Sequence, residues 1–230
     1  MSLKKLIGIA GVAGMTATTA LPAQAGAIEP VTADYNFTVD NKYKGTATRT
    51  LTKSGSNWNY KVSARVAGVA SASQSSSFTL SGNDVTPSKA STTYKVFGVG
   101  RTHNLSFSNG AKKVASTYKG KTTTSTSANR AYDDLSLEIQ IRQDLLANRF
   151  TGNYYMAKKT DIEKTPFKKV GNYSITVPAG TFDTVRVDRV HGDNSRSTSF
   201  WLAPSLDYLP VKVVQNNDGK KMEMTLTKVR

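Results

Sequence analysis

Cysteine is absent from this chain. Its absence excludes disulfides, thiolate catalysis, Cys-ligated zinc, iron–sulfur clusters and the lipidated cysteine of a bacterial lipoprotein. Histidine is nearly absent too: His103 and His191 are the whole supply, and neither stands in a spacing that chelates a metal or builds a metalloprotease helix. No Gly-x-Ser-x-Gly elbow presents a serine nucleophile, and no glycine pattern cradles a phosphate or a dinucleotide. The carboxylate pairs Asp133/Asp134, Asp161/Glu163 and Asp183/Asp188 are accounted for by helix capping or by polar strand faces. The chain is therefore expected to be no enzyme, with no catalytic residues, no cofactor and no metal.

Long hydrophobic runs are confined to the first residues. Lys4 and Lys5 precede an apolar, uncharged stretch from Leu6 to Leu21, followed by Pro22 and the small-residue site Ala23-Gln24-Ala25. This is the layout of a cleavable signal peptide, cut between Ala25 and Gly26. The competing reading, an uncleaved anchor, fits less well because Gly11 and Gly14 interrupt a stretch already short for a span. No later segment approaches the roughly 18 apolar residues of a transmembrane helix. The expected organisation is a signal peptide over residues 1–25 and a single β-rich domain over 26–230, located in the periplasm.

Acidic residues are scarce in the first half. Residues 41–132 hold fourteen Lys/Arg against the single acid Asp84, whereas residues 133–230 hold fifteen against twelve. A field of that sign favours an anionic envelope surface as partner, and an exported protein rarely meets nucleic acid, so none is expected.

What the chain has in abundance is period-two alternation. Trp58, Tyr60, Val62, Ala64 and Val66 share one face against Asn59, Lys61, Ser63 and Arg65 on the other, which reads as a long half-buried strand. Similar runs occur at Tyr43/Gly45/Ala47, Leu105/Phe107, Tyr173/Ile175/Val177, Leu209/Val211/Val213 and Met222/Met224/Leu226. Turn signals such as Lys53-Ser54-Gly55, Ser108-Asn109-Gly110 and Asn217-Asp218-Gly219 separate them. The pattern predicts roughly ten to twelve antiparallel strands in a meander.

One segment breaks the pattern. Asp133-Asp134 precedes a run from Leu135 to Phe150 with Glu138 early and Arg142 and Arg149 late, the charge order of a helix. Leu135, Leu137, Ile139 and Ile141 also alternate, so a strand competes, but the run is long and lacks Gly and Pro. A central helix over about 134–149 is expected, its apolar residues in two stripes that need cover on more than one side.

Several short signatures in fixed order resemble the bacterial domain-of-unknown-function family 3108. They are Asp133-Asp134-Leu135-Ser136 opening the helix with Arg142, then Val177-Pro178-Ala179-Gly180-Thr181-Phe182-Asp183-Thr184, Phe200-Trp201-Leu202-Ala203-Pro204 and Tyr208-Leu209-Pro210-Val211. The resemblance implies a periplasmic protein whose single curved antiparallel sheet, or half-barrel, carries a helix on its concave side, in outline like the lipoprotein carriers. It implies no activity and no catalytic residues.

A curved sheet capped by a two-striped helix leaves room for an apolar cavity between them. The function expected first is the binding or carriage of a lipid or other apolar or amphipathic envelope molecule, with Trp58, Tyr60, Val62, Leu135, Ile139 and Leu146 as candidate lining. The alternative is a structural or assembly factor of the envelope in which the helix fills the concavity and no small ligand binds. A transmembrane β-barrel shares the alternation, but the central helix and the small residues on the apolar faces weigh against it. Processing is directly measurable: the protein isolated from the periplasm should begin at Gly26 by intact mass, and a species retaining residues 1–25 would refute the expected cut.

Overall fold

Alternation becomes strand along most of the chain. The computed structural model describes residues 28–230; Ala23, Ala25 and Gly26, the expected cleavage site, lie outside the described residues. The first eight strands are β1 (Val31–Val39), β2 (Tyr43–Ser54), β3 (Asn57–Val66), β4 (Ala70–Ser81), β5 (Asp84–Val96), β6 (Val99–Ser108), β7 (Lys113–Tyr118) and β8 (Lys121–Thr126). Helix α1 (Asp134–Leu146) follows, then β9 (Asn153–Ala157), β10 (Ile162–Val177), β11 (Gly180–Arg189), β12 (Arg196–Ala203), β13 (Leu209–Asn217) and β14 (Lys220–Val229).

All fourteen strands form one antiparallel sheet in the order β8-β7-β6-β5-β4-β3-β2-β1-β14-β13-β12-β11-β10-β9. The chain is thus mainly β with one helix, with more strands than the ten to twelve expected. The Ser/Thr-rich stretch 122–128, readable from sequence as plain strand or loop, supplies most of β8, where no apolar alternation announces a strand. The pairing of β1 with β14 joins the two ends of the chain and makes the two halves one sheet.

The sheet coils around α1. Register shifts at Asp34/Tyr35, Ser77/Phe78, Lys169/Gly171 and Trp201/Leu202 bend it. Gly45 permits a close approach: a Cβ there would sit 2.0 Å from the Arg65 carbonyl oxygen. The edges β8 and β9 do not pair directly. Between them runs the segment leading into α1, where Ala131 donates to the Ala111 carbonyl at 2.8 Å and Tyr132 exchanges backbone bonds of 2.9 Å with Tyr155 and Ala157. The hydroxyls of Ser116 and Ser125 donate to the carbonyls of Lys159 and Thr160 at 2.8 and 3.0 Å. The result is a barrel-like enclosure.

Because successive turns alternate ends, the turns β1–β2, β3–β4, β5–β6, β7–β8, β9–β10, β11–β12 and β13–β14 share one end of the barrel, called the mouth below. Helix α1 starts beside the middle of β4 and runs to the opposite end, where Gln140 and Arg149 reach Asn83 in the β4–β5 turn. Asp133 caps α1: its carboxylate accepts from Leu135 and Ser136 backbone amides at 3.0 and 3.2 Å and from the Ser76 hydroxyl on β4 at 2.7 Å. Helix α1 ends at Leu146, short of the expected 149, because Asn148 takes φ 52°. Asn148 and Arg149 amides then turn back to the Leu145 and Asp144 carbonyls at 3.2 and 2.8 Å, closing the helix in a Schellman motif. Arg142 and Arg149 therefore do not form a basic last turn; Arg142 is buried in mid-helix, and Arg149 lies beyond it, paired with Asp84 and Asp144.

Every residue of α1 from Leu135 to Leu145 is buried. Losing the Asp133 cap should be costly at this enclosed helix end. Asp133→Ala should lower unfolding free energy by about 1–2 kcal/mol or more, read by urea denaturation, since two amides and Ser76 lose their acceptor together.

Candidate ligand cavity

The helix does not sit centrally. It packs closest on β4 and β5, with further contacts to β3 and β9, where Trp58 and Phe78 stack in parallel at 6.4 Å and Ile139 is fully buried. On its other flank, toward β10–β14, a cavity of about 350 Å³ remains. One wall is the helix face of Leu135, Leu137, Glu138 and Ile141. The opposite wall is a row of directly paired strand residues, Val187, Phe200, Val213 and Met224.

The next paired row toward the mouth is Arg189, Thr198, Gln215 and Met222, so the wall passes from apolar to polar within one step of the pleat. Around it charges of both signs meet, Arg189 and Asp134 both lining the cavity. Burial first, and then the Arg189 guanidinium, hold the Lys158 ammonium below its ordinary pKa. Burial, followed by Arg189, Arg196 and Lys158, does the same to His191. The imidazole of His191 shares a hydrogen bond with the Thr198 hydroxyl at 3.1 Å.

At the deep end lies a buried ion pair. Arg49 continues the inward face of β2 between Ala47 and Leu51, and its Nη1 donates to the Tyr60 hydroxyl at 2.8 Å and to the Glu138 carboxylate of α1. Tyr60 in turn donates to Glu138 at 2.7 Å. The Tyr35 ring lies 5.5 Å from the guanidinium, and its hydroxyl donates to the Pro210 carbonyl at 2.9 Å. Burial raises the Tyr60 and Tyr35 phenols far above their ordinary values. Burial alone would lower Arg49, but the adjoining Glu138 carboxylate more than reverses this, and the guanidinium stays charged. Arg49 Nε has no partner among the described residues. Arg49 and Glu138 both line the cavity, so its deep end carries a fixed charge pair.

The candidate lining residues are separated by the fold. Leu135 lines the cavity, whereas Trp58, Val62 and Ile139 belong to the filled core between α1 and β3–β5. Tyr60 serves the ion pair, and Leu146 packs, partly buried, on the same core. The expected place between the helix and β3 is thus occupied by side chains, and the space lies on the helix's other flank. Sequence reading passed over Arg49 and took Glu138 only as a helix-start charge. For Arg49 the signal was present, a charge in phase with Ala47 and Leu51 on an inward face. Of the histidines, His103 bonds Ser116 at 2.8 Å on the inner side of β6 and β7, away from His191. Among the described residues no group of three or more His, Asp or Glu is placed to hold a metal ion.

A closed-up antiparallel sheet wrapped on one buried helix defines a β-barrel-like protein. A solved structure of that class, the β-barrel-like protein of domain of unknown function DUF1849 from Brucella abortus, matches with a TM-score of 0.58. The match covers 88% of this chain and 98% of that chain at 10% sequence identity, a likeness of fold. The family model for DUF3108, a protein of unknown function, matches residues 32–227, and the chain belongs to that family. No curated protein matches it.

The ion pair makes a sharp prediction. Glu138→Ala should cost about 3–5 kcal/mol in urea denaturation because it strands a buried guanidinium, whereas Arg49→Met combined with Glu138→Leu should recover most of that loss.

Proposed function

We propose that this protein binds and carries an amphipathic molecule of the cell envelope, working in the periplasm and without catalysis. The observation that carries the reading is the cavity between α1 and β10–β14, which is apolar along its length and polar at both ends. Its volume of about 350 Å³ falls in the lower part of the range typical of small-molecule sites, about 300–1,000 Å³. Val187, Phe200, Val213 and Met224 supply the apolar contact, and methionine adapts to chains of varied shape. Arg189, with Lys158 beside it and Asp134 on the same lining, suits a strongly polar head at the mouth. The signal-like first segment supports the periplasm as the place of work.

Mass spectrometry of protein taken directly from its native periplasm should reveal a copurifying amphiphile. Val213→Phe, which fills the cavity from its wall, should displace it while leaving the thermal midpoint close to that of the native chain. Ile139→Ala, in the filled core on the other flank, should instead cost about 2–5 kcal/mol of stability and leave binding in place. An empty native protein that gains no stability from any lipid, and loses none of its role in Val213→Phe, would favour a structural or assembly factor.

A further inference from the structure

Three two-residue hairpins close at the mouth, and one differs in chemistry from the others. Lys119-Gly120 joins β7 to β8, Asp218-Gly219 joins β13 to β14, and Phe97-Gly98 joins β5 to β6. In each, both central residues have positive φ: 52° and 76°, 53° and 80°, and 48° and 80°. The first position of such a turn favours Asn, Asp or Gly, and a bulky apolar residue there is disfavoured by the backbone. Phe97 nevertheless occupies it, with its side chain in water: the residue is 76% exposed. Neither the turn nor the core accounts for the ring.

Its neighbours extend the anomaly. Val96 and Val99, the pair that closes the hairpin, are 54% and 80% exposed, and Tyr94 is 57% exposed. Tyr94 also lines the cavity, and Val96 follows it on the same face of β5, so an apolar track runs from the cavity wall to the tip. The surroundings are cationic. Lys95 and Arg101 flank the tip on its own strands, and Lys42, Lys44, Lys119 and Lys121 stand exposed on the neighbouring mouth-end turns and strand ends, where Asp40 is also found. Asp84, the single acid of residues 41–132, lies at the opposite end of the barrel. Asp161, Asp193 and Asp218 stand on the other mouth-end turns, so the cations concentrate around this tip. An apolar tip flanked by Lys and Arg matches the chemistry of an anionic bilayer: the phenyl ring and the valines enter the acyl boundary while the cations meet the headgroups.

We propose that the β5–β6 hairpin tip, Val96-Phe97-Gly98-Val99, inserts into an anionic lipid bilayer and seats the mouth of the barrel on the membrane surface. This goes beyond ligand carriage and stands without it, since docking requires only the tip and its cations. The bulk charge of the first half would give attachment abolished by salt, whereas an inserted tip leaves a component that salt does not remove.

The test uses the purified chain and vesicles of phosphatidylcholine with or without phosphatidylglycerol. Native protein should float with the anionic vesicles and retain part of that binding at high salt. Phe97→Asn suits the positive φ better than Phe, so the turn is kept and only the ring is removed. Its affinity should fall about ten- to a hundredfold, the equivalent of withdrawing one aromatic side chain from an apolar medium. Phe97→Trp should show an emission shift to the blue on anionic vesicles and quenching by brominated acyl chains, against the constant background of Trp58 and Trp201. Lys95→Gln with Arg101→Gln should weaken binding and flatten its salt dependence. Undiminished binding by Phe97→Asn, or an unshifted Phe97→Trp spectrum, would overturn the proposal. So would a dimer in sedimentation that Phe97→Asn dissolves while vesicles bind neither form, which would assign the tip to a second copy of the chain.

Discussion

A helix buried on every side has no face on which to leave its polar groups, and the rest of the barrel is organised around that constraint. Helix α1 carries Ser136, Glu138, Gln140, Arg142, Gln143 and Asp144 into the interior with its leucines and isoleucines. Unpaired, each would cost more than a typical hydrogen bond returns. The wall answers most of them individually. Glu138 meets Arg49 and Tyr60; Gln140 accepts from the Val85 amide at 2.8 Å and donates to the Asn83 carbonyl at 3.0 Å. Asp144 accepts from Tyr154 and Arg149 at 2.8 and 2.7 Å, and Arg142 Nε donates to the Asp207 carbonyl at 2.9 Å. These directional contacts reach β2, β3, β5, β9 and the turn before β13, so they set the helix's depth and rotation where apolar packing alone would tolerate sliding.

The same contacts explain why the cavity beside α1 opens toward β10–β14, while only a small one of about 40 Å³ remains between the helix start and β4–β6. The bonds to Val85, Asn83 and Ser76 draw α1 onto β4 and β5, and the apolar side chains there close the gap with Phe78 and Trp58. Strands β11–β14 are held at the far side of the barrel by their own ladders and by the β1–β14 pairing. Their inward rows of Val, Phe and Met therefore border a space beside the helix, while Val187, Leu202 and Phe200 still join the core cluster that holds its leucines. Arg142 and Gln143 mark the limit of the matching, with side-chain atoms that have no partner among the described residues. Arg49 Nε is another, on a residue that lines the cavity.

The two ends of the barrel differ chemically. The closed end is secured by the Schellman turn after α1 and by Arg149, which bridges Asp84 and Asp144. The mouth has its polar row at Arg189, Thr198 and Gln215, its cationic turns and its apolar β5–β6 tip. The polar row of the cavity, the cationic turns and the apolar tip thus lie at the same end of the barrel.

Much of the fold could be read residue by residue. Alternation is a local property of the chain, so Trp58 to Val66 declared its strand, and Asp133 with the run from Leu135 onward declared the helix and its cap without reference to anything distant. The ordered signatures from Asp133 to Val211 declared the family. Strand count fell short where burial is slight, as in β8, because a strand with little to bury leaves no pattern. The side of the helix that would be open was not legible at all. Leu135, Ile139 and Ile141 are alike as residues, and only the long-range bonds from Asp133, Gln140 and Glu138 to strands more than fifty positions away decide which of them meets a wall and which a space. Local chemistry determined the elements and their faces; the distribution of space inside the barrel was decided by tertiary hydrogen bonds, because packing density depends on how far apart whole elements are held.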